Sequence, residues 1–323
     1  MRRILLSVLV LLFTAAAGAW AQSYPNRPIR LIVAFPAGGT VDALARSVST
    51  QLESQIGTTI VVDNRGGANG AIAADLLKNA SANGYTMLFS SPSILINEIV
   101  KPRTTPYRVL RDFVPVTNIC MGEGYFLVVN ASVSARSVKE LIALSKQKAG
   151  QVTYGTPGVG NTLQLATEVF NQRTGAKLMH VPYRGLAPAV TAILGGEINV
   201  LFAPPTVVVP HIQSGKLRAL GFTGPKRWSY LPQVPTIAEQ GFPGYDVRLG
   251  WQGWYVPTGT PAAIVSRVNA EIRNALAVPK VRDFIRLGGY EPVGDTPAAF
   301  REFIREEIKR YAAIVKQAGI KVQ

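Results

Sequence analysis

Short apolar runs alternate with amphipathic helical stretches along nearly the whole chain, and that alternation restricts the fold more than any other feature. Residues 30–35 form an apolar strand, Pro36-Ala37-Gly38-Gly39 a turn, and Val41, Leu44, Ala45, Val48 and Leu52 recur at helical spacing. Thr40 is a suitable N-cap, and Asp42 falls in the first turn, where negative charge suits the helix dipole. The unit repeats in outline: strands are expected at 59–62, 86–89, 126–129, 152–154, 179–183, 198–202, 217–221 and 253–256, with helical patterns between many of them. Two final helices are expected on Val265, Val268, Ile272 and Leu276, and on Phe300, Ile304, Ile308, Tyr311 and Val315. Residues 222–246 lose periodicity and read as a long surface loop. Such a pattern predicts an α/β fold whose parallel sheets are covered on both faces.

Three strand-to-helix junctions share one design. Phe35-Pro36-Ala37-Gly38-Gly39-Thr40, Ser90-Ser91-Pro92-Ser93 and Thr156-Pro157-Gly158-Val159-Gly160-Asn161-Thr162 place small residues where a strand ends and a helix can begin. In open α/β sheets ligands bind just beyond the carboxyl ends of the strands. Glycine lets the backbone approach a ligand, and the free N–H groups of a helix start attract an anion. Such a site can hold a carboxylate without a buried arginine. Each junction taken singly is also ordinary turn chemistry.

Other chemistries fit less well. The loops lack the G-x-x-x-x-G-K-[ST] lysine, and Gly155, Gly158 and Gly160 do not match G-x-G-x-x-G. There is no G-x-S-x-G elbow. His180 and His211 are the only histidines and Cys120 the only cysteine, so neither metal nor cofactor is expected. His180, inside the run Leu178-Met179-His180-Val181, reads as a hydrogen-bonded structural residue. A hydrolase pairing Ser90 or Ser91 with His180 remains the enzymatic alternative.

The N-terminus bears on location. Arg2 and Arg3 precede an apolar stretch at residues 4–13 and small residues ending in Ala19-Trp20-Ala21, the pattern of a secretory signal peptide over 1–21. Gln22 follows where a lipoprotein would have cysteine, so a soluble exported protein is expected. The mature chain suffices for two domains. Its 47% hydrophobic and 16% charged residues describe a well-cored protein. The net charge of +15 is scattered rather than clustered with aromatics, so nucleic acid is not an expected partner.

Together these residues resemble the tripartite tricarboxylate transporter solute-binding proteins, the Bug family of periplasmic receptors. Tyr24-Pro25, Pro28-Ile29-Arg30, the Phe35–Gly39 junction and Asp42 look like the family opening. Val61-Val62-Asp63-Asn64-Arg65-Gly66-Gly67-Ala68, His180-Val181-Pro182-Tyr183-Arg184-Gly185 and Leu194-Gly195-Gly196-Glu197-Ile198 follow in family order. Val234-Pro235-Thr236, Gly241-Phe242-Pro243-Gly244-Tyr245, Trp251, Gly253 and Gly259-Thr260-Pro261 complete the series.

The resemblance implies a two-lobed periplasmic-binding-protein fold, the type II Venus flytrap with two crossover strands, here 126–129 and 250–256. Lobe one would then be 22–126 with 250–323, and lobe two 127–249. It implies a periplasmic monomer that captures a di- or tricarboxylate, or a related carboxylated solute, and passes it to a membrane permease. A sensor that docks on a signalling receptor is the open alternative.

Carried over by position, Phe35, Gly38, Gly39, Thr40 and Asp42 would form the wall in lobe one, with Ser90 and Ser91 beside them. Gly158, Asn161 and Thr162 would face them from lobe two, and Tyr183, Ala203 and Pro204 would line the rim. Asp42 is left with three roles: orienting water, accepting from a ligand amine, or favouring the helix terminus. Arg184 is the nearest basic residue, either in the cleft or turned to solvent. Thr40, Asn161 and Gln164 depart from residues frequent in the family, which bears on the identity of the ligand.

Overall fold

Why each strand pairs where it does follows from which residues can be buried on both faces. The computed structural model describes residues 24–320, so the signal-peptide reading of 1–21 lies outside the described residues. The strands are β1 Ile29–Val33, β2 Ile60–Asn64, β3 Thr86–Ser90, β4 Phe113–Gly122, β5 Phe126–Asn130 and β6 Thr153–Thr156. They continue with β7 Met179–Pro182, β8 Val200–Ala203, β9 Leu217–Phe222, β10 Trp251–Pro257 and β11 Tyr290–Pro292. One sheet runs β11-β4-β10-β3-β1-β2 and the other β7-β6-β8-β5-β9. β1 is parallel to β2 and β3, and β6 to β7 and β8, with helical crossovers between them. β5 and β10 run antiparallel to their neighbours.

The chain passes between sheets twice. The first passage is residues 123–125, between β4 and β5, and the second arrives through 223–250 before β10. β5 and β10 themselves each belong to a single sheet. Thr223 ties the passages together: its Oγ1 accepts from the Tyr125 N–H at 2.8 Å and donates to the Val247 carbonyl at 2.8 Å. Gly122 N–H also donates to the Gly250 carbonyl at 2.7 Å.

Beside the second passage, Trp251 Nε1 donates to Glu307 Oε2 and Tyr311 Oη, both at 3.1 Å, and Tyr311 Oη donates to the Leu249 carbonyl at 2.8 Å. The buried Trp251 indole and Tyr311 hydroxyl are thereby partnered, and Glu307 also accepts from Arg310 Nη1 at 3.1 Å, which is what burial of an indole and a carboxylate requires. The helices Ala262–Ala277 and Pro297–Gln317 lay their apolar faces on the first sheet.

Three expectations are corrected. The ten-residue β4 and the helix Pro279–Leu287 were not anticipated. Residues 222–246 are aperiodic but not superficial, because Trp228, Leu231, Val234, Ile237 and Tyr245 are buried in the core. Gly39, not Thr40, caps the first described helix, Thr40–Ile56.

Candidate ligand-binding site

Parallel strands deliver their carboxyl ends, and the helix starts that follow them, to one edge of each sheet. The two edges face each other across a cavity of about 160 Å³. Its wall includes Gly39, Thr40 and Val41 after β1, Ser91 and Pro92 after β3, and Asn161, Thr162 and Leu163 after β6. Gly185, Leu186 and Ala187 after β7 and Pro204 after β8 close the opposite side. Five helix N-termini therefore converge on one space, two from the first sheet and three from the second.

Local sequence explains why these helix starts remain open. Gly39 and Gly185 cap the helices Thr40–Ile56 and Leu186–Gly195 with no side-chain hydrogen bond. Their first-turn N–H groups have no helical acceptor, and the first-turn residues Thr40, Val41, Leu186 and Ala187 line the cavity. Gly185 has φ 132°, a conformation that side-chain-bearing residues rarely adopt. Asn161 instead caps its own helix, Thr162–Thr174, accepting from the Leu163 N–H at 2.8 Å.

The cavity carries little formal charge. Among the described residues, Arg184 is its one basic lining residue and is exposed, while no acidic side chain lines it. Asp42 is turned away from the guest space. Its carboxylate accepts from Gly38 N–H at 3.0 Å, Arg46 Nε at 2.9 Å and Asn64 Nδ2 at 2.9 Å. Burial pushes its pKa up, but these donors outweigh it and hold the carboxyl below its ordinary value. Asp42 therefore shapes the Gly38-Gly39 turn. Positive potential in the cavity comes mainly from oriented amides, which favour an anion without a competing carboxylate.

At the junction of the sheets lie Tyr125, Gly250, Gln252 and Tyr290. A Cβ on Gly250 would sit 2.8 Å from Tyr125 Oη, so the phenol occupies the room that glycine leaves. Tyr125 lies beside Thr162, and Tyr290 beside Gln252. Gln252 is 3% exposed, and its Oε1 has no hydrogen-bond partner among the described residues.

Of the residues singled out from sequence, Phe35, Gly39, Thr40, Ser91, Asn161, Thr162 and Pro204 line the cavity. Gly38, Asp42, Ser90, Gly158, Tyr183 and Ala203 do not. Ser90 donates to the Ser91 carbonyl at 3.3 Å, Gly158 N–H donates to Thr156 Oγ1 at 3.3 Å, and Tyr183 N–H donates to the Thr156 carbonyl at 2.8 Å. Ala203 is buried at the end of β8. Sequence reasoning missed Tyr125, Gln252 and Tyr290, which three distant segments bring together only in the fold. The buried Gln252 within the apolar strand β10 was the one local signal.

Hydrogen bonds span the two sides. Asn161 Nδ2 donates to Ser93 Oγ at 3.2 Å and to Asn69 Oδ1 at 3.4 Å. Asn69 Nδ2 donates to the Gly160 carbonyl at 2.6 Å, and the Thr40 and Thr206 hydroxyls meet at 3.3 Å. Asn69 has φ 54°, and Asn97 Nδ2 holds this turn through the Ala68 and Asn69 carbonyls at 3.2 and 3.1 Å. Asparagine tolerates the left-handed conformation better than most residues.

His180 lies behind the third junction. Its Nε2 is 2.6 Å from Thr156 Oγ1, and its ring stacks on Tyr154 at 5.0 Å. Burial lowers its pKa to about 4, so the imidazole is neutral at pH 7. Among the described residues, no group of three or more His, Cys, Asp or Glu could hold a metal ion, and no helix is long and apolar enough to cross a membrane.

Comparison with known proteins agrees with this geometry. Residues 44–320 match the model of a family described as the tripartite tricarboxylate transporter family receptor. The chain is 38% identical to Protein BugT of Bordetella pertussis, over 100% of this chain and 99% of that protein. An R. palustris protein solved with adipate superposes with a TM-score of 0.88 at 34% identity, over 92% of this chain and 99% of that one. The periplasmic binding protein BugD superposes at 0.86 with 28% identity, over 93% of this chain and 100% of that one. The architecture is the two-lobed α/β periplasmic-binding-protein fold that the family resemblance implied.

Proposed function

This chain belongs to the tripartite tricarboxylate transporter receptor family, and on that premise we propose that it captures a small carboxylate in the cavity between its sheets and hands it to a membrane permease. It is a solute-binding receptor, not an enzyme. The single observation that carries the ligand reading is the convergence of five helix N-termini on a cavity that no acidic side chain lines. Charge-assisted bonds from backbone N–H groups contribute about 1.5–3 kcal/mol each, enough in combination to hold one carboxylate.

The mechanism is capture by closure. The carboxylate docks on the first-turn amides of one lobe, and the other lobe's helix starts complete its coordination as the Asn69, Asn161 and Thr40 bonds form. We place the lobes at 22–126 with 250–323 and at 127–249, a division supported by the segregation of strands into two sheets. The adipate carried by the R. palustris relative supports the ligand class. The family supports a periplasmic location and a permease partner.

A thermal-shift screen of mono-, di- and tricarboxylates tests this reading. A true ligand at 100 times its Kd stabilises the protein by about 2.7 kcal/mol. A panel without a single stabilising carboxylate overturns it.

A further inference from the structure

Large apolar side chains left in water gather at one corner of the molecule. Of the eight exposed among the described residues, Phe284 and Leu287 lie on the helix Pro279–Leu287, and Val293 and Tyr230 lie next to it. Phe284 and Leu287 are three residues apart and so share one side of that helix, 39% and 54% exposed. Val293 lines a groove beside it with Arg273, Arg282 and Arg286. Tyr230, from the segment between β9 and β10, lies beside Arg286. The two halves of the molecule touch at this corner: a Cβ on Gly289 would run into the Pro205 ring, and one on Gly288 would sit 3.2 Å from Thr206 Cγ2. Single exposed apolar residues are normal, but a group of them rimmed by polar side chains marks an interaction surface.

The rim is basic. Arg286 is paired with Glu291 at 2.7 Å, but Arg273, Lys280 and Arg282 have no ion-pair partner among the described residues, against one unpaired carboxylate on the helix, Asp283. A second copy of a chain with net charge +15 would set like charges together there, whereas an acidic surface with an apolar centre complements it. We infer that this corner is where the membrane permease docks, an acidic surface of the permease seating apolar side chains on Phe284, Leu287 and Tyr230 while Arg273 and Arg282 face its carboxylates. On the capture-by-closure mechanism the two halves of the corner come together as the lobes shut, so the permease grips the loaded receptor best. This rests on the transport reading above.

Uptake of the labelled carboxylate that most stabilises the protein in the screen tests this, in cells whose receptor gene is deleted and replaced by a variant. Leu287→Glu and Tyr230→Glu lie outside the cavity wall, so calorimetry on the purified proteins should give a Kd within about twofold of the wild type. Uptake should fall at least about tenfold with each. Ile72→Glu, an equally exposed position on a helix that packs in a different core cluster, should transport normally. If either variant fails to fold, as its thermal melt will tell, Arg282→Glu carries the test with the same loss expected. Undiminished uptake with a folded variant, or an equal loss with Ile72→Glu, overturns the docking surface and leaves the transport reading standing. A wild-type dimer in sedimentation that Leu287→Glu dissolves, with uptake intact, gives the corner to a second copy and overturns it too. Gene deletion that leaves uptake unchanged overturns delivery to a permease, and this surface with it.

Discussion

The side-chain amide of Asn69 reaches from one lobe to the backbone carbonyl of Gly160 in the other, 2.6 Å away. Asn161, the cap of the facing helix, closes the same gap by donating to Ser93. On the capture-by-closure mechanism proposed above, these contacts form as the lobes shut, and their free energy adds to ligand affinity through the closed population.

Asn69→Gly preserves the left-handed backbone but deletes the bridging amide. Its affinity for whichever carboxylate the screen identifies should fall about fivefold, the worth of one hydrogen bond near 1 kcal/mol. Calorimetry reads the affinity, and small-angle scattering should show the ligand-bound variant more open than the wild type.

Gly39→Leu tests the backbone approach. Gly39 has φ −88°, and a Cβ there meets nothing nearer than the Pro36 carbonyl at 3.8 Å, so the fold should tolerate the change. The added side chain crowds the amides at the start of the helix Thr40–Ile56. Affinity should drop by at least about tenfold with little shift in Tm. Undiminished affinity would remove this helix start from the site.

Thr223→Val strips the hydroxyl that joins both passages between the sheets. It leaves the Tyr125 N–H and the Val247 carbonyl without their partner. Denaturant unfolding should show a loss of about 1–3 kcal/mol.

His180 gives the protein a pH dependence of definite sign. Its pKa falls from 6.5 to about 4 on burial, so the unfolded chain takes up a proton that the folded one refuses. The stability it contributes is complete above pH 6.5 and declines as pH drops toward 4. In His180→Gln, the fall in Tm between pH 7 and pH 4.5 should be smaller than in the wild type.

Much of the frame could be read from sequence because strand and helix periods survive in it. β1, β3, β5, β6 and β9 lie close to where apolar runs predicted them. β4 escaped because Phe113–Gly122 carries Pro115 and Asn118, has no two-residue alternation, and is buried along most of its length. Pro115 is accommodated beside a register shift opposite Trp254 and Tyr255. Only Val278 separates the helix Pro279–Leu287 from its predecessor, so Pro279 was the one mark in the sequence of a break between the two.

The site divides in the same way. Gly39, Asn161 and Pro204 were visible because turn chemistry marks a helix start. The polar end made by Tyr125, Gln252 and Tyr290 depends on β10 and β11 meeting β4, a long-range pairing that no local pattern encodes. Asp42 misled for an electrostatic reason. A carboxylate beside a binding loop looks functional until Gly38, Arg46 and Asn64 are seen to saturate it.

Because the wall of the cavity is assembled mainly from connections and helix starts, with Gln252 and Tyr290 contributed by strands, framework and selectivity occupy largely different stretches of polypeptide. Replacing a few residues at one junction would re-tailor the guest while leaving β-pairing and core intact. A scaffold arranged like this can diversify its cargo by small steps, each testable by selection without passing through an unfolded ancestor.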